Sequence, residues 1–460
     1  MPPVEVEIAI VGAGIAGIAT AYYLCTEHGV RDLLILDALP PMSLTTARSG
    51  ENYRNWWPHP AMVAFTDSSI DLMERIARES ANAIRMTRRG YALATRAKDV
   101  SGMVASLEAG YGATAAAHIR MVDTARAGAN YVDCAPHGAE GWELAPDGID
   151  VITEPDTIRR HFPHYADDVG AVLHVRRAGD ISAQQMGQFM LEQIRASGGR
   201  LMLGRLASVE RNGKFALLIE TDEGSARVLA GSLVDAAGPF VCDVAAMLGV
   251  KLPTETIFQQ KIAFRDRAAA IPRRMAFAVD LDPQILDWTA EERDLIGADP
   301  SNAWLTGRFP GGIHCRPEGG ESSDWIKLGW AFNRAPVAPQ WEPACDERFP
   351  EVVLRGAAAL QPALKAYYGR LPTDLSLYGG YYTMTPENWP LIGPMGPAGA
   401  FVVGALSGYG TMAAAAAGSL CAGWIAGAEL PDHAMALSLA RYADEALMAE
   451  LGESENKGIL

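Results

Sequence analysis

Three glycines and one carboxylate carry the first recognisable chemistry. Gly12, Gly14 and Gly17 follow the apolar run 8–11, with Ala13, Ile15 and Ala16 between them. A helix-like run continues to residue 24, and a second apolar run, 33–36, ends on Asp37 and Ala38. Strand, glycine loop, helix, strand and acid together suit a diphosphate. Gly12 permits a tight turn, Gly14 lets a pyrophosphate approach the backbone, and Gly17 lets the helix lie close to the sheet. The helix tip offers free N–H groups and the positive end of a dipole. Asp37 stands where a carboxylate could hold two ribose hydroxyls. A Gly-rich turn without any ligand would leave Asp37 unexplained.

A second set of candidates lies further on. Thr45, Thr46, Arg48 and Ser49 form a hydroxyl-rich segment able to run along a cofactor. Tyr53, Arg54, Trp56 and Trp57 read either as a plug under a loop or as a wall over a flat aromatic cofactor with Arg54 at its edge. Residues 312–317, with His314 and Arg316, and residues 325–330, with Lys327, flank a Gly-Gly turn and predict adjacent antiparallel strands. In that pattern Lys327 either points to solvent or faces a ligand. Tyr382 precedes a Thr-Pro segment. Gly408, Tyr409, Gly410, Thr411 and Met412 make a tight turn into an Ala-rich helix, 412–425, whose tip could stabilise negative charge on a bound ring.

Composition narrows the class. The chain has 460 residues, 49% hydrophobic and 20% charged, which predicts two intertwined domains rather than one core. No apolar run is long enough for a membrane span. The start runs almost directly into a strand, without a basic n-region or cleavage site. Six scattered cysteines lack metal-like spacing, so free thiols, a reducing cytoplasmic setting and no metal are expected. A net charge of −16 argues against nucleic acid and anionic membranes, and mildly favours a cationic substrate.

The elements that must position these residues follow from periodicity and punctuation. Helices are predicted over 64–80, 100–116, 154–162 and 183–197, the last capped by residues 180–182. Strands are predicted over 88–93, 171–175 and 201–209. A hairpin-like pair, 215–221 and 226–229, precedes a separate buried strand that ends near 235 in a small-residue turn, 236–239. Residues 125–148 read as an insertion, either a lid or a plain loop. The fold class is α/β: a Rossmann-type domain built from 1–85, 150–250 and 375–460, intertwined with a mixed-sheet α+β substrate domain from 86–149 and 251–374.

Taken in order, VGAGIAGIATAYYL with Asp37, the loop ending in Arg54, AGDISAQQ, VDAAGPF, IKLGW, TPENWPLIGP and GALSGYG resemble the D-amino-acid oxidase superfamily, sarcosine and glycine oxidase branch. The resemblance spans nearly the whole chain. It implies that Gly12, Gly14 and Asp37 hold the ADP half of FAD, and that Thr45, Thr46 and Ser49 line the loop past the pyrophosphate. It implies that Val209, Ala237 and Gly238 approach the adenosine and ribityl side, and that Tyr409 to Met412 meet the pyrimidine end of the ring. Arg54 matches an Arg beside the isoalloxazine, and Lys327 a Lys over the flavin that helps activate dioxygen. The implied activity is oxidation of an amine or amino acid to an imine by hydride transfer, with dioxygen as acceptor giving peroxide. A dehydrogenase using a quinone or carrier protein, a flavin monooxygenase and a non-catalytic flavin scaffold are the alternatives.

The departures are specific. Gly380 stands where the branch has a Cys linking FAD covalently, so non-covalent FAD is expected. Trp57 and Met412 replace the branch's carboxylate-gripping Arg and Lys, and Ala331 replaces a pocket His. Either the carboxylate is bound elsewhere, with Arg316 as the candidate, or the amine carries none near the ring. Arg316 serves equally well as a structural ion-pair partner.

Overall fold

A computed structural model describes residues 3–122, 131–132, 142–320 and 322–453. Its first strand, Val4–Val11, lies between two parallel neighbours, Leu33–Asp37 and Gly224–Asp235. Among the described residues eight strands make this sheet, in the order Arg205–Asn212, Lys214–Thr221, Gly224–Asp235, Val4–Val11, Leu33–Asp37, Arg200–Leu203; Ala400–Gly404 pairs beside Gly224–Asp235 and Leu391–Pro394 beyond it. The helix Ile15–Thr26 is almost wholly buried because it lies between this sheet and a second apolar helix, Gly410–Ala426. Small residues make that contact possible: a Cβ on Gly418 would come within 2.5 Å of the Ala19 carbonyl carbon.

Among the described residues nine strands form the second sheet, in the order Ser376–Met384, Glu255–Arg265, Trp325–Trp330, Ile313–Glu318, Phe277–Asp280, Tyr91–Thr95, Ala171–Val175, Ile149–Ile152, Ile119–Val122. Strand alternation gives it two unlike faces. Ile262, Phe264, Ile326, Leu328 and Trp330 pack with the helix Phe349–Leu360 in one hydrophobic core. Gly356 lets that helix lie on Trp330, where a Cβ would stand 2.5 Å from the indole ring. The intervening residues, including Lys261, His314 and Lys327, project from the opposite face.

Several expectations change. The strands Ile149–Ile152, Ala171–Val175 and Ser376–Met384 pair in the nine-stranded sheet, although their sequence positions had grouped them with the glycine-loop domain. The expected strand 201–209 divides at Gly204, whose N–H bonds to Asp37 O, and its halves pair with different strands, Arg200–Leu203 with Leu33–Asp37 and Arg205–Asn212 with Lys214–Thr221. The second hairpin strand and the separate buried strand are one element, Gly224–Asp235. The helix expected over 100–116 stops at Tyr111 because Gly112 turns left-handed, φ +53°. Most of the insertion at 125–148 lies outside the described residues. Among the described residues no helix is long and apolar enough to cross a membrane, and no cluster could hold a metal ion.

Candidate active site

A cavity of ≈ 360 Å³ runs from the tip of the first helix to the tip of the helix Gly410–Ala426. At the near end the glycines have separable tasks. Gly12 has φ +113°, and a Cβ there would meet Ala236 O at 2.2 Å; one on Gly17 would meet Gly12 O at 2.0 Å. Both are demanded by the protein itself. Gly14 is not: a Cβ there would meet only Thr46 Oγ1, at 3.6 Å, and would fill cavity space. The first-turn amides have no intrahelical acceptor; Ile15 N–H donates to Thr46 Oγ1, 3.1 Å away.

Asp37 accepts from Ala13 N–H at 2.6 Å and from Leu39 N–H at 2.9 Å, so its carboxylate is fixed at the cavity edge. Burial raises its pKa, while these amide donors pull the other way. Each oxygen retains capacity for a further donor. Thr45 Oγ1 is buried along the same wall with no hydrogen-bond partner among the described residues. At the far end, Thr411 Oγ1 donates to Ser49 Oγ at 2.8 Å and ties the second helix tip to the hydroxyl-rich segment. Gly408, φ +77°, leaves room for the Tyr382 ring, which a Cβ would meet at 2.3 Å. An open glycine cradle, a fixed carboxylate, an orphaned hydroxyl and a second uncapped helix tip fit an extended molecule with a diphosphate near one end and a polar ring at the other.

A smaller cavity, ≈ 100 Å³, adjoins the first, and the two share Ser49, Lys261, Tyr382, Ser407 and Gly408. Its walls include Arg54, Tyr91, Phe277, His314, Tyr409 and Met412. The Arg54 guanidinium lies 5.5–5.9 Å from the rings of Trp56, Trp57 and Tyr91, and the Arg54 N–H donates to Met412 Sδ at 3.1 Å.

The predicted residues fall into groups. Gly12, Gly14, Ile15, Ala16, Asp37, Ala38, Thr45, Thr46, Arg48, Ser49, Ala237, Gly238, Gly408, Gly410 and Thr411 line the long cavity; Tyr409 and Met412 line the smaller one. Ala13 contributes its N–H to Asp37 instead, and Val209 packs in the core behind the sheet. Trp57 is 1% exposed and lines neither cavity; it supports Tyr409 edge-on at 4.9 Å.

Arg316 and Lys327 also line neither cavity. Arg316 pairs with Glu318 at 2.8 Å and donates to Gly50 O at 2.9 Å. Lys327 pairs with the same Glu318 at 2.9 Å and lies 3.7 Å from Glu51. Burial opposes the charge on Lys327 and Arg316 repels it, yet Glu318 and Glu51 help hold its pKa above the ordinary lysine value.

The lysine that reaches both cavities is Lys261, which the sequence reading missed. It lies on Glu255–Arg265 directly opposite Gly329. Burial, reinforced by Lys327, pushes its ammonium down to about 8. His314 beside it is driven down to about 3 by burial and by Lys261, and is neutral. The missed signal was the alternation Ile257, Gln259, Lys261 against Phe258, Gln260, Ile262, which puts all three of the former on one strand face.

The comparisons agree with this geometry. A family model described as DAO, FAD dependent oxidoreductase, matches residues 7–424. A search of curated proteins finds no match. Among solved structures, an L-proline dehydrogenase from P. horikoshii is similar with TM-score 0.69 and 17% identity, over 96% of this chain and 99% of that one. A glycine oxidase from Geobacillus kaustophilus is similar with TM-score 0.67 and 14% identity, over 95% and 99%. An iminodiacetate oxidase from Chelativorans sp. BNC1 gives 0.64 and 15%, over 94% and 98%. With two helix tips facing one long cavity and a family match across nearly its whole length, the chain belongs to the DAO family of FAD-dependent oxidoreductases.

Proposed function

We propose that the protein binds FAD non-covalently in the long cavity and oxidises the C–N bond of a small amine or amino acid held in the smaller one. The observation that carries this reading is the shared wall of Ser49, Lys261, Tyr382, Ser407 and Gly408, which lets a group in one cavity meet a group in the other. The compounds named for the three similar structures, proline, glycine and iminodiacetate, all have a C–H beside an amine nitrogen.

Gly14 and the first helix tip would hold the diphosphate, and Asp37 the ribose. The tip of Gly410–Ala426 would face the ring, where its dipole favours negative charge. Bound FAD would supply the oxidising power, taking a hydride from the carbon beside nitrogen and leaving an imine. The chain's own part is orientation and exclusion of water: Tyr91, Phe277, Tyr382 and Tyr409 wall the pocket, and Arg54 stands at its side. An amine bound neutral needs no general base. Gly380 has no side chain that could bond the cofactor, so FAD should be released on denaturation; a Cβ there would stand 3.1 Å from Arg48 Cβ.

Dioxygen is the proposed acceptor, giving hydrogen peroxide. A quinone or carrier protein is the second reading, favoured by the likeness to a dehydrogenase. The test is anaerobic mixing with primary, secondary and N-methyl amines while the absorbance of oxidised flavin is followed. Bleaching by at least one amine is expected, followed by peroxide on admitting air. No bleaching by any amine, with bleaching by NADPH alone, would replace this reading with a monooxygenase.

A further inference from the structure

The pocket raises a question of charge. Carboxylate-bearing substrates need a cation, and the two positions where the resembling branch supplies one hold Trp57 and Met412. The candidate substitute, Arg316, is engaged by Glu318 and Gly50 O, and Lys327 by Glu318.

Lys261 differs from both. It is only 5% exposed, yet it makes no ion pair or hydrogen bond to any described residue. Its Nζ lies 5.6 Å from the centre of the Tyr382 ring, at the wall shared by the two cavities. The surroundings are built to admit it. Gly329, opposite in register, leaves space for the lysine stem: a Cβ there would stand 3.1 Å from Lys261 Cγ and 2.3 Å from His314 Nε2. Gly50 flanks the lysine on the other side, where a Cβ would stand in ordinary contact, 3.8 Å, with Lys261 Cε.

The titratable and charged groups nearest it are Tyr378 and Tyr382 from Ser376–Met384, Lys327 from Trp325–Trp330 and His314 from Ile313–Glu318, while Glu51, Arg54 and Arg334 line the same smaller cavity. Glu51 is the one carboxylate among them, and the cation it lies against is Lys327, 3.7 Å away, rather than Lys261. A buried ammonium without a counter-ion is unfavourable unless an anion arrives to neutralise it.

We propose that Lys261 receives the carboxylate of the substrate, so that the natural substrate is an amine bearing a carboxylate and is anchored from the strand Glu255–Arg265 rather than from positions 57 and 412. This rests on the amine-oxidation reading above. It makes Lys261 a specificity-determining residue that turns the substrate relative to the pocket, with its carboxylate end toward Tyr382.

The experiment uses the flavin-loaded protein and a ligand that cannot be oxidised. Acetate is titrated against the visible absorbance of bound FAD and by calorimetry, with acetamide as its neutral counterpart. Acetate is expected to bind and acetamide to bind at least tenfold more weakly. Lys261→Met is expected to weaken acetate about tenfold or more, the usual scale for losing a charge-assisted hydrogen bond. Lys261→Arg should retain binding within a few-fold, and Lys327→Met should leave it unchanged. For a bleaching amine, Lys261→Met should raise the half-saturating concentration of the carboxylated form far more than that of its decarboxylated analogue. Should the Met variant not fold, the wild-type titration against pH replaces it, with acetate affinity falling above pH of about 8.

Equal binding of acetate and acetamide, or acetate affinity unchanged in Lys261→Met, would overturn the proposal. So would loss of acetate binding in Lys327→Met alone. The two readings fail separately. Lysine-dependent acetate binding with no amine ever bleaching the flavin refutes amine oxidation and leaves the anion site. Amines that bleach equally well with and without a carboxylate refute the anion site and leave amine oxidation.

Discussion

Removing the Lys261 charge should stabilise the ligand-free protein. An ordinary lysine titrates at 10.5, and burial, with repulsion from Lys327, holds Lys261 at about 8. Each tenfold change in acidity corresponds to about 1.4 kcal/mol, so keeping this ammonium charged in the fold costs on the order of 3 kcal/mol. Below pH 8 the group is protonated in both folded and unfolded chains, and the whole cost is present. Between 8 and 10.5 the unfolded chain binds a proton that the folded chain has released, so stability rises with pH through that window. Above 10.5 both forms are neutral and the cost is gone. Lys261→Met, an apolar side chain of similar length, should therefore raise the urea midpoint of flavin-stripped protein at pH 7, and the gap should close toward pH 10. Acetate at a hundred times its dissociation constant should add about 2.7 kcal/mol to wild type and almost nothing to the variant. A variant less stable than wild type at pH 7, or equally stabilised by acetate, would refute the picture of a lysine held charged for an incoming anion.

Other expectations follow from single contacts. Gly14→Ala should leave the fold intact, since its Cβ would meet nothing closer than 3.6 Å, but should weaken FAD at least about tenfold by filling the cradle; thermal unfolding and FAD titration read the two separately. Gly12→Ala should instead fail to fold or unfold early by circular dichroism, because φ +113° and a 2.2 Å collision with Ala236 O leave it no room. Arg316→Met leaves Glu318 paired with Lys327 and removes a cation 3.7 Å from Asp180, which keeps Arg89; a loss of roughly 3 kcal/mol in chemical denaturation is expected. Acid precipitation should release all the FAD into the supernatant; yellow colour remaining on the pellet would contradict the non-covalent reading at Gly380.

What was legible in the sequence was what the backbone itself enforces. Gly12 and Gly17 announce a tight turn and a close helix because any Cβ collides there, and Asp37 follows at the end of the second strand. The closing helix was legible because the turn at Gly408 and the alanines after it admit little else. Lys261 was illegible for the opposite reason. A lysine in an alternating strand reads as solvent-facing until its neighbour in the sheet is known and Gly329 is seen opposite it. Arg316 and Lys327 looked equivalent to it along the chain, since nothing local reveals that Glu318 faces both. The twelve-residue strand Gly224–Asp235 was read as two because Gly231 interrupts its apolar pattern; in the fold that glycine merely accommodates Glu7 O, 3.0 Å from where its Cβ would stand. The net charge of −16 suggested a cationic substrate, but it describes the surface; the smaller cavity presents Arg54, Lys261 and Arg334 against the single carboxylate of Glu51.

The most direct measurement is a crystal structure of the protein grown with FAD and soaked in acetate. The account predicts density for the diphosphate against Gly14 and the first helix tip, the ring between Ser49 and Tyr382 with its pyrimidine end at Gly410–Thr411, and acetate within hydrogen-bonding distance of Lys261 Nζ. A ring lying outside the shared wall of the two cavities, or acetate at Arg54 with Lys261 turned away, would contradict it.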